Sequence, residues 1–97
     1  MRYLRVKWIH SCPDDPVEMY SEIDADGYEV RKLELFSNGS IGFADSTEAY
    51  GSTQLGEKSV PPLETIAADP QFQPSLIAKD DFERIWSSRF SAAGHKR

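Results

Sequence analysis

The run Tyr28-Glu29-Val30-Arg31-Lys32-Leu33-Glu34-Leu35 decides the fold of this chain, because a glycine turn signal stands on each side of it, Asp26-Gly27 before and Asn38-Gly39 after. Apolar and charged residues in short alternation between two such turns predict a strand joined by a hairpin to a partner on each side, the middle of an antiparallel sheet. Its apolar positions shift phase, from Tyr28 and Val30 to Leu33 and Leu35, across Arg31-Lys32. One inserted residue in a strand produces such a shift, so a β-bulge is expected there.

Upstream lie the two strands this middle strand needs. Residues 3–10 alternate, with Leu4, Val6 and Trp8 on one face and Arg5, Lys7 and Ile9 on the other. Pro13 and Pro16 end that strand, since neither can donate to a ladder. Residues 17–23 resume the alternation, with Val17, Met19, Ser21 and Ile23 inward and Glu18, Tyr20 and Glu22 outward.

Downstream, 41–44 is the return strand, with Ile41 and Phe43 inward and Gly42 leaving room for a neighbouring backbone. Residues 45–52 are polar and turn-rich, carry Tyr50, and predict the most mobile loop. Residues 53–60 are expected to add a fifth strand around Leu55. Pro61-Pro62 would stop it and open a short helix over 63–68, which Asp69-Pro70 ends because the residue before proline is driven out of the helical region. Residues 71–78, with Pro74, suit a crossing or an edge strand.

The clearest helix spans 79–90, with Phe82, Ile85, Trp86 and Phe90 on one stripe and Asp80, Asp81 and Glu83 near the positive end of its dipole. Its stripe needs an apolar bed, and the one expected is Leu4, Val6, Trp8, Val17, Met19, Ile23, Leu33 and Leu35. The fold class that follows is α+β: a four- or five-stranded antiparallel meander with one face covered by the C-terminal helix, plus one short helix. Ninety-seven residues make one domain, set at 3–90 with a basic tail over 91–97.

Three segments together, Tyr-Leu-Arg-Val-Lys-Trp-Ile-His at 3–10, Tyr-Ser-Glu-Ile-Asp at 20–24 with Glu-Val-Arg-Lys-Leu-Glu at 29–34, and Pro-Pro-Leu-Glu-Thr-Ile-Ala-Ala-Asp-Pro-Gln-Phe at 61–72, resemble a family of small bacterial single-domain proteins of unknown function. The resemblance spans roughly 3–86. It implies a stand-alone bacterial domain and transfers no catalytic residues. Where that family carries a serine or threonine before the last helix this chain has Ala78, which removes a side-chain N-cap of about 1 kcal/mol.

Function is carried by surface chemistry, because no catalytic motif is present. The net charge of −5 works against binding a polyanion, so nucleic acid is disfavoured, and the intervening glutamates of the second strand break any basic stripe. With a lone Cys12, no leader and no long apolar run, a cytoplasmic protein without disulfides or membrane contact is expected. His10-x-Cys12 lacks the third and fourth ligands zinc needs, Asp24-Ala25-Asp26-Gly27 is a truncated calcium loop, and neither metal nor cofactor is expected.

What remains is a polar patch on the outward sheet face, Tyr20, Glu22, Arg31, Lys32 and Glu34, joined by Tyr50 of the loop as an aromatic anchor. The expected function is a non-catalytic protein-binding module, of the immunity or regulatory kind, that presents this charged face to a protein partner. The alternative is a small-molecule or nucleotide-binding domain, with hydrolytic chemistry at a cleft around Arg31, Glu22 and Glu34. An unpaired edge near Leu55 would allow a weak homodimer; otherwise the chain is a monomer.

Overall fold

The computed structural model describes residues 1–89. Strands β1 (Arg2–Trp8), β2 (Glu18–Ile23), β3 (Glu29–Leu35), β4 (Ile41–Ala44) and β5 (Ala49–Tyr50) follow one another, then helix α1 (Leu63–Ala67), strand β6 (Phe72–Leu76) and helix α2 (Lys79–Ser87). They form one six-stranded antiparallel sheet in the order β5-β4-β3-β2-β1-β6. The α+β class and the hairpin order of the first four strands are as the turns predict. Gly27 and Gly39 take φ of 92° and 89°, the left-handed region those hairpins require. Phe90 and the basic tail at 91–97 lie outside the described residues.

Three expectations are corrected. The sheet has six strands: 53–60 is not a strand, β5 is the two-residue Ala49–Tyr50, and 71–78 supplies β6 at the other edge, against β1. The bulge sits one residue early. Glu22 faces Arg31 while Ile23 faces Glu29, so Val30 is the inserted residue.

The third correction concerns the covered face. Leu33 pairs with Tyr20, and Tyr20 with Arg5, so Leu33 and Leu35 share a face with Tyr3 and Tyr20 rather than with Leu4 and Val6. Pairing register, which the strand-by-strand reading did not set, decides this. Consequently α2 lies on the face expected to be open: Phe82 and Trp86 pack with Tyr3, Tyr20, Leu33, Ile41 and Phe43. The opposite face carries Leu4, Val6 and Ile23 and is roofed by α1 and the segment before it, through Val60, Leu63 and Ile66.

That preceding segment, 54–62, behaves as a strap tied to the β2–β3 hairpin. The Gly56 N–H donates to Glu29 Oε1 at 2.7 Å and the Val60 N–H donates to the Gly27 carbonyl at 2.7 Å. Just before it, Thr53 is almost fully buried and its hydroxyl donates to Glu34 Oε1 at 2.7 Å. Gly42 is required here, because a Cβ on it would stand 2.1 Å from Thr53 Oγ1. The close neighbour is thus a side chain before it is a backbone.

At the far edge, the Ile77 N–H donates to the Tyr3 carbonyl and the Ile9 N–H to the Gln71 carbonyl. By the two-residue alternation of an antiparallel ladder, Pro74 therefore turns its donorless nitrogen outward. Proline on the open side of an edge strand costs the sheet nothing and denies a second strand its donor. At α2, Ala78 offers no side-chain cap, and Asp81 compensates in part by accepting from the Ala78 N–H at 3.4 Å.

Candidate functional site

The residues expected to form one patch are divided between the two faces of the sheet. Tyr20, Glu22 and Arg31 lie under α2; Lys32 and Glu34, their neighbours in sequence, project to the α1 side, as the alternation of β3 requires.

Beneath α2 the polar groups are saturated by one another. Glu22, 7% exposed, accepts from Arg31 Nε at 2.6 Å, from Arg31 Nη2 at 3.0 Å and from the Tyr3 hydroxyl at 2.8 Å. The other side of the same guanidinium donates to Glu83 of α2 through Nη1 at 3.0 Å and Nη2 at 2.7 Å. The rings of Phe82 and Trp86 flank it, 4.9 and 5.1 Å from the guanidinium carbon. Tyr20 is buried, and its hydroxyl donates to Glu18, which also accepts from Arg5.

The electrostatics follow from these bonds. Hydrogen bonds from Arg31 hold the Glu22 carboxyl below the ordinary carboxylate value against the opposing effect of burial, and the same guanidinium lowers Glu83. Arg31 is pushed upward by Glu22 first and Glu83 second, and Tyr3 is pushed upward by its bond to Glu22. A general acid at neutral pH needs a raised carboxyl, and an anion site needs a free guanidinium. Arg31 and Glu22 offer neither, and Glu34 is on the other face, bonded to Thr53. The expected cleft around Arg31, Glu22 and Glu34 is therefore not formed; Arg31 and Glu22, with Glu83, act as a clamp that fastens α2 to the sheet.

Tyr50 is exposed at the β5 edge, as expected, with its ring stacked on Phe43 at 5.5 Å. His10 and Cys12 adjoin, but the imidazole is engaged on both sides: Nδ1 accepts the Cys12 N–H at 3.0 Å, which leaves Nε2 to donate to the Pro16 carbonyl at 2.8 Å. Among the described residues no group of three or more His, Cys, Asp or Glu side chains is placed to hold a metal ion, and no helix is long and apolar enough to cross a membrane.

An apolar concave feature lies on the α1 side. A groove of about 430 Å³ runs beneath the strap and α1, bedded on Leu4, Val6 and Met19 and walled by Val60, Ile66 and Phe72. Its lining crosses the sheet from Lys32 on β3, past Ser21 on β2 and Leu4 on β1, to Phe72 on β6. At about 4.8 Å per strand that is a span of roughly 14 Å. Three of the four charged lining residues, Glu29, Lys32 and Lys58 of the strap, stand at the β3 end, and the fourth, Asp69, lies between α1 and β6.

Lys32 is the only one of these residues that the sequence singles out. Glu29 looks like one more outward charge of a strand, and Lys58 and Val60 fall in the segment read as strand five. The available signal was the punctuation, Gly51, Gly56 and then Pro61-Pro62, which suits a strap better than a strand.

The family model for a domain of unknown function, DUF6881, matches residues 2–91, nearly the whole chain, so the protein belongs to that family. No curated protein and no solved structure matches it.

Proposed function

We propose that this member of the DUF6881 family is a non-catalytic binding module that holds a small, mainly apolar ligand in the groove between the sheet and the strap. The observation that carries the reading is the groove itself. Its volume of about 430 Å³ lies within the roughly 300–1,000 Å³ of small-molecule sites, and its apolar bed has both of its lysines, Lys32 and Lys58, at one end.

Two further features support it. The polar groups next to the bed are engaged, since the Ser21 hydroxyl donates to Glu29 and the Val60 N–H to Gly27, which favours binding over nucleophilic chemistry at the bed. Of the patch first chosen for a protein partner, Tyr20, Glu22 and Arg31 lie under α2, whereas the groove is open from one side.

Thr65 lines the groove from the exposed side of α1, where a larger side chain disturbs no core contact. Thr65→Trp is expected to fill the space and to abolish the fluorescence gain of a neutral apolar dye such as N-phenylnaphthylamine, with the melting temperature unchanged. Equal dye binding by the wild type and the variant, or none by the wild type, would remove the proposal.

A further inference from the structure

Resting on that reading, we infer that the ligand is a carboxylate-headed amphiphile, an acyl or aryl acid whose tail lies across β2 and β1 and whose head meets Lys32 and Lys58. The first observation is the state of Lys32. Its side chain is only 19% exposed, and its ammonium stands 3.6 Å from Glu29 Oε1, close enough for charge pairing and too far for a hydrogen bond.

Glu29 cannot come closer without losing other bonds. Its Oε1 accepts the Gly56 N–H and its Oε2 the Ser21 hydroxyl, each at 2.7 Å, so both oxygens are already held. An ammonium carries three donors, and within the described residues this one has no hydrogen-bond acceptor. The stem is largely buried while the ammonium is not sealed from solvent, so an acceptor supplied by a ligand takes the place of water there.

The second observation is local charge. Lys32 and Lys58 against Glu29 leave the β3 end of the groove positive by one, with the lining's other carboxylate, Asp69, set apart between α1 and β6. Lys58 lies on the strap between its two anchors, Gly56 and Val60, and makes no ion pair among the described residues. A carboxylate fits both ammoniums and brings the end to neutrality.

The third is the character of the body. A peptide in this groove would bury amides against Leu4, Val6, Met19 and Phe72, where each unpaired amide is costly. Addition as a strand beside β6 is weakened as well, since Pro74 removes one outward donor. An acyl or aryl chain carries no such groups and gains about 0.8 kcal/mol per buried methylene.

The test uses decanoate and decanol, the same chain with and without the charge, titrated below micelle formation into the full chain and followed by amide shifts. Decanoate is expected to move Leu4, Val6, Lys32 and Val60 and to bind about tenfold more tightly than decanol, the increment of one charge-assisted hydrogen bond. Lys58→Gln and Lys32→Gln should each erode that preference, and added salt should erode it in the wild type.

Equal affinity for the two probes, with shifts still in the groove, overturns the carboxylate inference and leaves the groove reading in place. Shifts confined to Met1 and Leu76, the exposed apolar residues near the start of α2, overturn it by placing the amphiphile elsewhere. No shifts with either probe, together with no dye binding, sink the underlying reading as well.

Discussion

The two faces of this sheet are built from similar numbers of apolar side chains and end in opposite conditions. On the α2 face the aromatic rings of Tyr3, Phe43, Phe82 and Trp86 meet one another, and two cations lie over them: Arg89 against Phe43 and Trp86, and Arg31 wrapped by two carboxylates and two rings. On the α1 face the side chains are aliphatic apart from Phe72 at the β6 edge, the roof is a five-residue helix and a strap held by one bond to the Glu29 side chain and one to the Gly27 backbone, and a groove persists. The contrast teaches that a charge becomes structure where most of its donors are matched, as four of Arg31's five are, and stays available where they are not. Arg31 and Lys32, adjacent in sequence, stand on the two sides of that distinction.

The strongest attack on this contrast is Arg31→Met. It leaves Glu22 buried without its cation and frees Glu83 of α2, so a loss of about 3–5 kcal/mol in denaturant unfolding is expected. Arg31→Met with Glu22→Gln should recover more than half of it, because most of the penalty is the stranded carboxylate. If the single variant unfolds within experimental error of the wild type, Arg31 is not a clamp, and the patch reading of Tyr20, Glu22 and Arg31 regains its standing.

That patch shows what sequence reading could reach. Each strand's alternation is visible locally, and β1 to β4 follow from it together with the two glycine turns. Which alternation joins which depends on pairing register, and the bulge at Val30 further offsets the N-terminal end of β3 against β2. The apolar partner of Leu33 is Tyr20, which looked like an outward residue because a tyrosine between two glutamates reads as polar. The amphipathic helix was legible; the side of the sheet it covers was not. The groove was hidden for a different reason, since its charged end joins residues 29, 32 and 58 through contacts no local pattern encodes.

Acid provides a gentler probe of the same clamp. Glu22 and Glu83 have folded values below those of the unfolded chain, so the unfolded chain binds more protons in that window. Their contribution is complete above about pH 4.5 and drains as pH falls through the folded values. Stability of the wild type should therefore drop with acid below pH 4.5, and Arg31→Met should show a shallower acid limb. The residue of slope in the variant is expected from Asp45, lowered by the Thr47 and Glu48 backbone N–H groups, which Arg31 does not touch. Glu83 is the more exposed carboxylate of the pair, so salt should shrink its share and spare that of Glu22. Identical acid limbs for both proteins would mean the carboxyls do not depend on Arg31.

The smallest effect is expected on the other face. Ile66 is half-buried on α1 and already borders open space, so Ile66→Ala removes methylenes without creating a new enclosed cavity. The transfer part alone remains, about 1 kcal/mol for a partly exposed side chain. The same truncation enlarges the groove, and the apolar dye should bind with altered affinity even though the fold is barely disturbed. A loss as large as that of Arg31→Met would mean that α1 is a structural roof of the same rank as α2. The asymmetry between the faces would then be one of composition only, and the groove would be a packing gap that the fold cannot spare rather than a place kept open for a ligand.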